Sequence, residues 1–539
     1  MFYSFWSKKT LLLSLSFCAF TAQSQDILWE KSYGGKHAEF LFDAIPTPDY
    51  GFILAGSSIS DKNGNKSDAN KGDLDYWIWK MDEKGDLDWQ KSFGGSGLDL
   101  LQSIKLTSDG GFILAGTSQS NKGLDKKDDS KGQSDFWIIK LDAKGNEMWQ
   151  QTIGGNGQEM LQSIALTADG GYILGGSSDS DTTKADDKGL EDKTGKSQDS
   201  RGSLDYWAVK LDNKGKVQWQ QTIGGVYADE LKSIAQTKDG GYILGGYSNS
   251  PASGEKTADA KGAGDYWIVK LDTAGILQWQ QTLGGNQDDN LTALIQTKDG
   301  GYMAGGNSNS EATDSKSKTN TSGTDFWIVK LDETGTISWQ QTYNYGKTDV
   351  LTSIVENQDG SYLIAGYAQK ETTGKAIRKD KDGINDYIAL KIDAKGEELW
   401  SKTVGSTGDE VLKKLIETRD GGYILAGTSK GEASKDKKSA KGGSDFWVVK
   451  LKDKSKPEQQ KVTIEAVPNP VTSFTNAIIN YEYAYGTATL YDLNGRQLQQ
   501  QKINGESTVP FDLSNLPSGV YVINISTNVE QNGIKVIKN

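Results

Sequence analysis

Apolar and polar residues alternate along this chain in short runs closed by Asp/Gly turns, the period-two signature of half-buried strands. The third of its repeats shows the pattern. Leu161-Gln-Ser-Ile-Ala-Leu-Thr167 leads through a turn into Gly171-Tyr-Ile-Leu-Gly-Gly176. After a long polar loop come Asp205-Tyr-Trp-Ala-Val-Lys-Leu211, a second turn and Val217-Gln-Trp-Gln-Gln-Thr-Ile223. β-Branched and aromatic residues at this spacing predict four antiparallel strands per repeat. No 3.6-residue apolar pattern of useful length lies beyond the first 25 residues, which argues against a helical solenoid.

The unit recurs seven times. A phrase close to Asp-Gly-Gly-Tyr-Ile-Leu-Ala-Gly starts at Asp49, Asp109, Asp169, Asp239, Asp299, Asp359 and Asp420. A strand tryptophan follows the same spacing at Trp29, Trp89, Trp149, Trp219, Trp279, Trp339 and Trp400. Short four-stranded repeats predict an all-β fold, a seven-bladed β-propeller over residues 25–452. The array begins with a lone outer strand, Ile27 to Tyr33, and stops after the third strand of its last repeat, Asp445 to Leu451. Pairing these two fragments completes the seventh blade and removes two bare edges. The hairpin Leu141-Asp-Ala-Lys-Gly-Asn-Glu-Met-Trp149 resembles the tryptophan-docking turn of quinoprotein-like propellers, and it is one residue longer than the Asp-box of sialidases. These are likenesses of turn architecture only. A sialidase would need three converging arginines, and Arg201, Arg378 and Arg419 lie in different loop types.

Residues 453–461 are charged, Gln-rich and suited to a linker. Residues 462–539 change vocabulary: Val467-Pro-Asn-Pro470, Tyr491-Asp-Leu-Asn-Gly-Arg496, Leu516-Pro-Ser-Gly-Val-Tyr521 and a terminal Lys535-Val-Ile-Lys538. Short strands between Asn-Gly and Pro-Ser-Gly turns predict a small Ig-like β-sandwich. In this order the motifs resemble the type A C-terminal sorting domain of the type IX secretion system of Bacteroidota. The resemblance implies passage through the type IX translocon, then removal of the tail by a sortase-like protease, with release or attachment to surface lipopolysaccharide. The repeat region resembles propeller-repeat proteins of poorly defined function that precede such tails.

Residues 1–24 read as a signal peptide: Lys8 and Lys9, an apolar run from Thr10 to Phe20, and a small-residue site at Ala22-Gln-Ser24. The expected location is therefore outside the cell, secreted or on the outer face of the outer membrane. Cys18 lies within this leader, so the mature chain has no thiol for a disulfide or a metal. The formal charge of −12 and pI near 4.9 argue against a nucleic-acid partner, and none is expected. No other segment is long and apolar enough to span a membrane as a helix, and a monomer is expected.

Candidate sites must be weighed against the repeat. A carboxylate follows the Gly-Gly strand end in every unit, at Glu39, Asp99, Glu159, Asp229, Asp289, Asp349 and Glu410. Seven carboxylates near a channel mouth suit a cation, yet a feature shared by all units is better read as a turn acceptor. Function is expected where units differ. The loops between the second and third strands, the first being residues 57–74, are long, polar and inclined to mobility. In the first, Asp61, Asn63, Asn65 and Asp68 have the spacing of calcium ligands, without the bidentate Glu of an EF-hand. Calcium is the one cofactor suggested. Tyr247 and Tyr367 replace Ser or Thr and, with the seven carboxylates, are the ligand-face candidates. The sixth unit departs most, with Asn344-Tyr-Gly for Gly-Gly and Ile388 for the usual tryptophan. His37 is the only histidine, so catalytic constellations are scarce and no enzyme is expected. The leading reading is a binding or adhesion module for a glycan, cell-wall component or protein. The alternatives are a carbohydrate-active enzyme using an Asp/Glu pair, and a structural surface protein without a specific ligand.

Overall fold

The computed structural model describes residues 25–182, 194–321, 323–369, 384–453 and 462–539. Residues 1–24 and 454–461, read above as leader and linker, lie outside them. The described secondary structure is strand, with no helix.

Each repeat forms one antiparallel four-stranded sheet with its strands in chain order. In the third unit they are Glu159–Leu166, Tyr172–Ser178, Asp205–Leu211 and Val217–Ile223, close to the alternation in the sequence. The first unit holds Glu39–Pro46, Phe52–Ser58, Asp75–Met81 and Leu87–Phe93. The seventh sheet takes Asp409–Glu417, Tyr423–Lys430 and Asp445–Lys452 from the end of the array, and its fourth strand, Asp26–Tyr33, from the beginning. That strand pairs antiparallel with Asp445–Lys452, Tyr33 opposite Phe446.

Second and third strands are buried on both faces because each sheet stacks between two others. Tyr206 packs on Trp267 of the next sheet at 4.8 Å between ring centroids, and its hydroxyl donates to the Trp267 carbonyl at 2.9 Å. The Tyr76–Trp137, Tyr266–Trp327 and Tyr387–Trp447 pairs repeat both contacts. Phe446 makes the ring contact from the seventh sheet to Trp77 of the first, at 4.8 Å. Outer tryptophans dock on the turn of the following unit, where Gly215 has φ +82° and a Cβ would meet Trp149 at 2.7 Å. Only glycine fits there at no cost.

Every first strand carries a β-bulge at one position. In the third unit Leu161 pairs with Gly176 and Ser163 with Gly175, leaving Gln162 as the extra residue. The corresponding residues are Phe42, Gln102, Lys232, Thr292, Thr352 and Lys413. The leucine before the bulge turns its N–H toward the preceding sheet. Leu231 donates to Ser177 Oγ at 2.9 Å, and Leu41 of the first sheet donates to Thr428 Oγ1 of the seventh at 2.9 Å.

The tail forms two antiparallel sheets, of three and four strands. Both contribute to one core that includes Ile479, Phe511, Leu490 and Ile523. It meets the repeat region at the turns between first and second strands. Arg419 donates to Glu465 of the tail at 2.8 Å and lies over the Tyr50 ring at 4.3 Å, while Ser507 donates to Asp49 at 3.0 Å. Tyr50 occupies a turn position with φ +64°, where the other units place glycine. The backbone strain of a non-glycine residue there coincides with the contact to the tail.

Candidate functional site

The repeated carboxylates are all fully buried acceptors within their own turns. Glu39 accepts from the Gly35 N–H at 2.9 Å and Ser58 Oγ at 2.9 Å, and Asp289 accepts from the Gly285 N–H at 2.8 Å and Ser310 Oγ at 2.8 Å. Asp99, Glu159, Asp229, Asp349 and Glu410 each accept the equivalent turn N–H. Burial pushes Glu39, Asp99, Glu159, Asp229, Asp289 and Glu410 above the usual carboxylate range, against the pull of these hydrogen bonds. The third-strand aspartates beside them go further, and burial holds Asp75, Asp205 and Asp265 up to about 6.

The long loops are more ordered than their composition suggests. A lysine is buried in each of six: Lys66, Lys126, Lys196, Lys256, Lys316 and Lys437. Lys66 donates to the carbonyls of Ser60 at 2.7 Å and Asp68 at 3.1 Å. A loop N–H, that of Ser67, binds Gln90 Oε1 at 3.0 Å, and Trp77 Nε1 donates to the same oxygen at 3.1 Å. The described loops thus hold a desolvated ammonium among backbone carbonyls. Parts of the third and sixth loops, residues 183–193 and 370–383, lie outside the described residues. The Asp61, Asn63, Asn65 and Asp68 side chains face separate partners. Asn63 accepts the Lys36 N–H, Asn65 the Gly34 N–H at 3.4 Å, Asp61 the Asn70 N–H at 3.3 Å, and Asp68 the Ser67 hydroxyl at 3.4 Å. The loop is organised around its own cation, the Lys66 ammonium.

The unrepeated chemistry lies elsewhere. All seven bulge residues line one cavity of about 450 Å³ to which every first strand contributes. Its cationic side chains are Lys105, Lys232, Lys413 and Lys414, and its single carboxylate is Asp43. Asp43 is bound by Lys105 at 3.1 Å, Lys414 at 3.3 Å, Ser103 Oγ at 3.1 Å and the Ile104 N–H at 3.1 Å. Burial raises its pKa, but the two ammonium groups and the N–H overcome this and hold the carboxyl well below the usual range. Lys232 pairs with Glu230 at 2.7 Å. Lys413 faces the Phe42 ring at 5.6 Å, and burial together with the neighbouring Lys232 pushes its pKa down. None of these residues stood out in the sequence. The usable signal was the bulge position itself, which follows an invariant buried leucine and differs between units.

Tyr367 lines this cavity, and Tyr247 packs instead over Gly264 at the corresponding place in the fourth unit. Neither supplies the inter-sheet acceptor that Ser57, Thr117, Ser177, Asn307 and Thr428 provide. The departures around the sixth unit form one compensated change. Tyr345 packs with Ile388 in a shared core and meets Phe326 at 5.8 Å, where other interfaces have a tryptophan. His37 is exposed, its N–H bound to Ser60 Oγ.

Residues 465–539 match a family described as Secretion system C-terminal sorting domain. The tail is an export signal. The protein is exported to the outer-membrane surface or secreted, and its sorting domain engages the type IX machinery. Over 345 residues the chain is 23% identical to the regulatory protein FlaEY of Caulobacter vibrioides, covering 60% of this chain and 35% of that protein. Among solved structures, a fungal AA5-family alcohol oxidase in complex with copper aligns at TM-score 0.43 and 11% identity, over 95% of this chain and 99% of its own. YCF48 bound to D1 peptide aligns at TM-score 0.38 and 7% identity, over 78% and 94%. A DUF4221 member from Bacteroides vulgatus aligns at 0.31 and 9%, over 80% and 98%. Scores this low do not carry function.

Proposed function

We propose that residues 25–452 form a closed seven-bladed propeller that acts outside the cell as a non-enzymatic binding or adhesion module for a glycan, cell-wall component or protein. An Ig-like type IX sorting domain delivers it to the surface of a member of the Bacteroidota. The closure reading is supported by the shared seventh sheet and by the Thr428–Leu41 and Phe446–Trp77 contacts. One observation carries the binding reading. Seven bulges aim seven side chains of four different types into one cavity, and bulges concentrate where a fold re-aims side chains for function. The enzyme alternative asks for two carboxylates about 5 to 9 Å apart in an asymmetric pocket. The cavity offers one, Asp43, tied into ion pairs. The test is a glycan and cell-envelope panel against the full chain, scored for binding and for product release. Binding without turnover is expected. Product release would favour the enzyme, and silence across the panel would favour a structural surface protein.

A further inference from the structure

We propose that the cavity framed by the seven first strands is an anion site for an acidic saccharide, a sugar bearing a carboxylate or a phosphate. This rests on the binding-module reading and narrows its ligand. In a chain of formal charge −12, the cavity runs against the rest of the molecule: four lysines line it against a single carboxylate. Asp43 is consumed by Lys105 and Lys414, and Glu230 offsets Lys232. Lys413 is left with only an aromatic face, and among the described residues it has no carboxylate partner. Burial and the neighbouring Lys232 disfavour the charge of Lys413, and an anion beside it relieves this.

The remaining lining selects the rest of the ligand. Gln102 and Gln162 present amides, and Thr292 and Thr352, whose hydroxyls donate to the Leu351 and Ala365 carbonyls, present acceptor oxygens; both suit the hydroxyls of a sugar ring. Phe42 and Tyr367 add ring faces against which its C–H surface can lie. A cavity of about 450 Å³ lies within the range of small-molecule sites. The donors are lysines rather than arginine forks, so carboxylate and phosphate are both accommodated as point charges.

Calorimetric titration of the full chain with glucuronate, glucose 6-phosphate, glucose and inorganic phosphate tests the site. At least one acidic sugar should bind ~tenfold or more tighter than glucose, and ~0.5 M salt should weaken it. A Lys232→Gln/Lys413→Gln double variant should lose ~tenfold or more in affinity at an unchanged unfolding midpoint. Lys144→Gln, outside the cavity, should change nothing. Thr352→Lys, which adds a cation to the lining, should tighten binding. Equal affinity for glucose, phosphate binding as tightly as either acidic sugar, or indifference to the double variant would each overturn the proposal. A ligand found in the wider panel and unaffected by the double variant would sink this inference alone and leave the binding module standing. An empty panel would sink both.

Discussion

Two neighbouring positions on the same strand divide the labour of this molecule. The third residue of each first-strand motif is always leucine, from Leu41 to Leu412, and each is fully buried. The residue after it is the bulge: Phe, Gln, Gln, Lys, Thr, Thr or Lys. The leucines fill the spaces between sheets, which are the same seven times over, so the same side chain solves each. The bulge residues face a shared cavity and answer to no such constraint. Sevenfold agreement therefore marks stability, and disagreement marks the surface free to recognise something. The carboxylates at the strand starts fall on the leucines' side of that line, because every one is spent on its own turn.

The sharpest way to break this comparison is to mutate the two neighbours. Leu231→Ala should cost about 3–4 kcal/mol through the cavity it leaves. Lys232→Ala, one residue on, should cost less than about 1 kcal/mol. Denaturant unfolding reads both, and similar losses would show that the bulge position is structural after all. Asp43 is the intermediate case, an unrepeated residue with a structural task. Asp43→Ala strands Lys105 and Lys414, whose side chains are each 31% exposed. Partial exposure lowers the penalty of an unpaired buried charge to about 2 kcal/mol. The same variant should leave the turn carboxylates and their stability contribution intact.

Much of the fold was legible because repetition averages out local ambiguity. Strand limits in the third unit, the sharing of the seventh sheet and the turn role of the carboxylates all follow from seven aligned copies. The candidate site was not legible for the same reason in reverse. A bulge is a one-residue shift in pairing, invisible in composition, and it moved Lys232 and Lys413 from an unremarkable alternation into the cavity. The Asp43–Lys414 pair spans almost the whole array and exists only because the seventh sheet lies beside the first. The loop lysines lie in polar runs that name no partner for them, because their partners are backbone carbonyls such as those around Lys66.

Acidity separates three third-strand aspartates from Asp43 by sign. Asp75, Asp205 and Asp265 are raised to about 6 by burial. Their unfolded values lie near ~4, so their contribution is present below that and is lost as pH rises through about 6. Asp43 is depressed by its lysines, so its contribution is present above ~4 and is lost as pH falls below that. The melting temperature should therefore be higher near pH 5 than at pH 7. A triple Asn variant of the three aspartates should flatten that decline, while Asp43→Asn should alter only the acid limb. A decline unaltered by the triple variant would remove these carboxylates from the account.

The smallest effect tests whether Tyr247 and Tyr367 belong with the repeat or apart from it. Five units place Ser, Thr or Asn there to accept the leucine N–H of the next sheet, as Ser177 does for Leu231. Tyr247→Ser restores that acceptor opposite Leu291 and should gain about 1 kcal/mol, the net worth of one such hydrogen bond. Tyr367→Ser should recover a similar bond to Leu412 while removing an aromatic wall of the cavity. If the cavity binds a sugar, the second substitution should raise stability and lower affinity together, and the first should raise stability alone. That split is the trade expected where a stabilising repeat residue has given way to a recognising one.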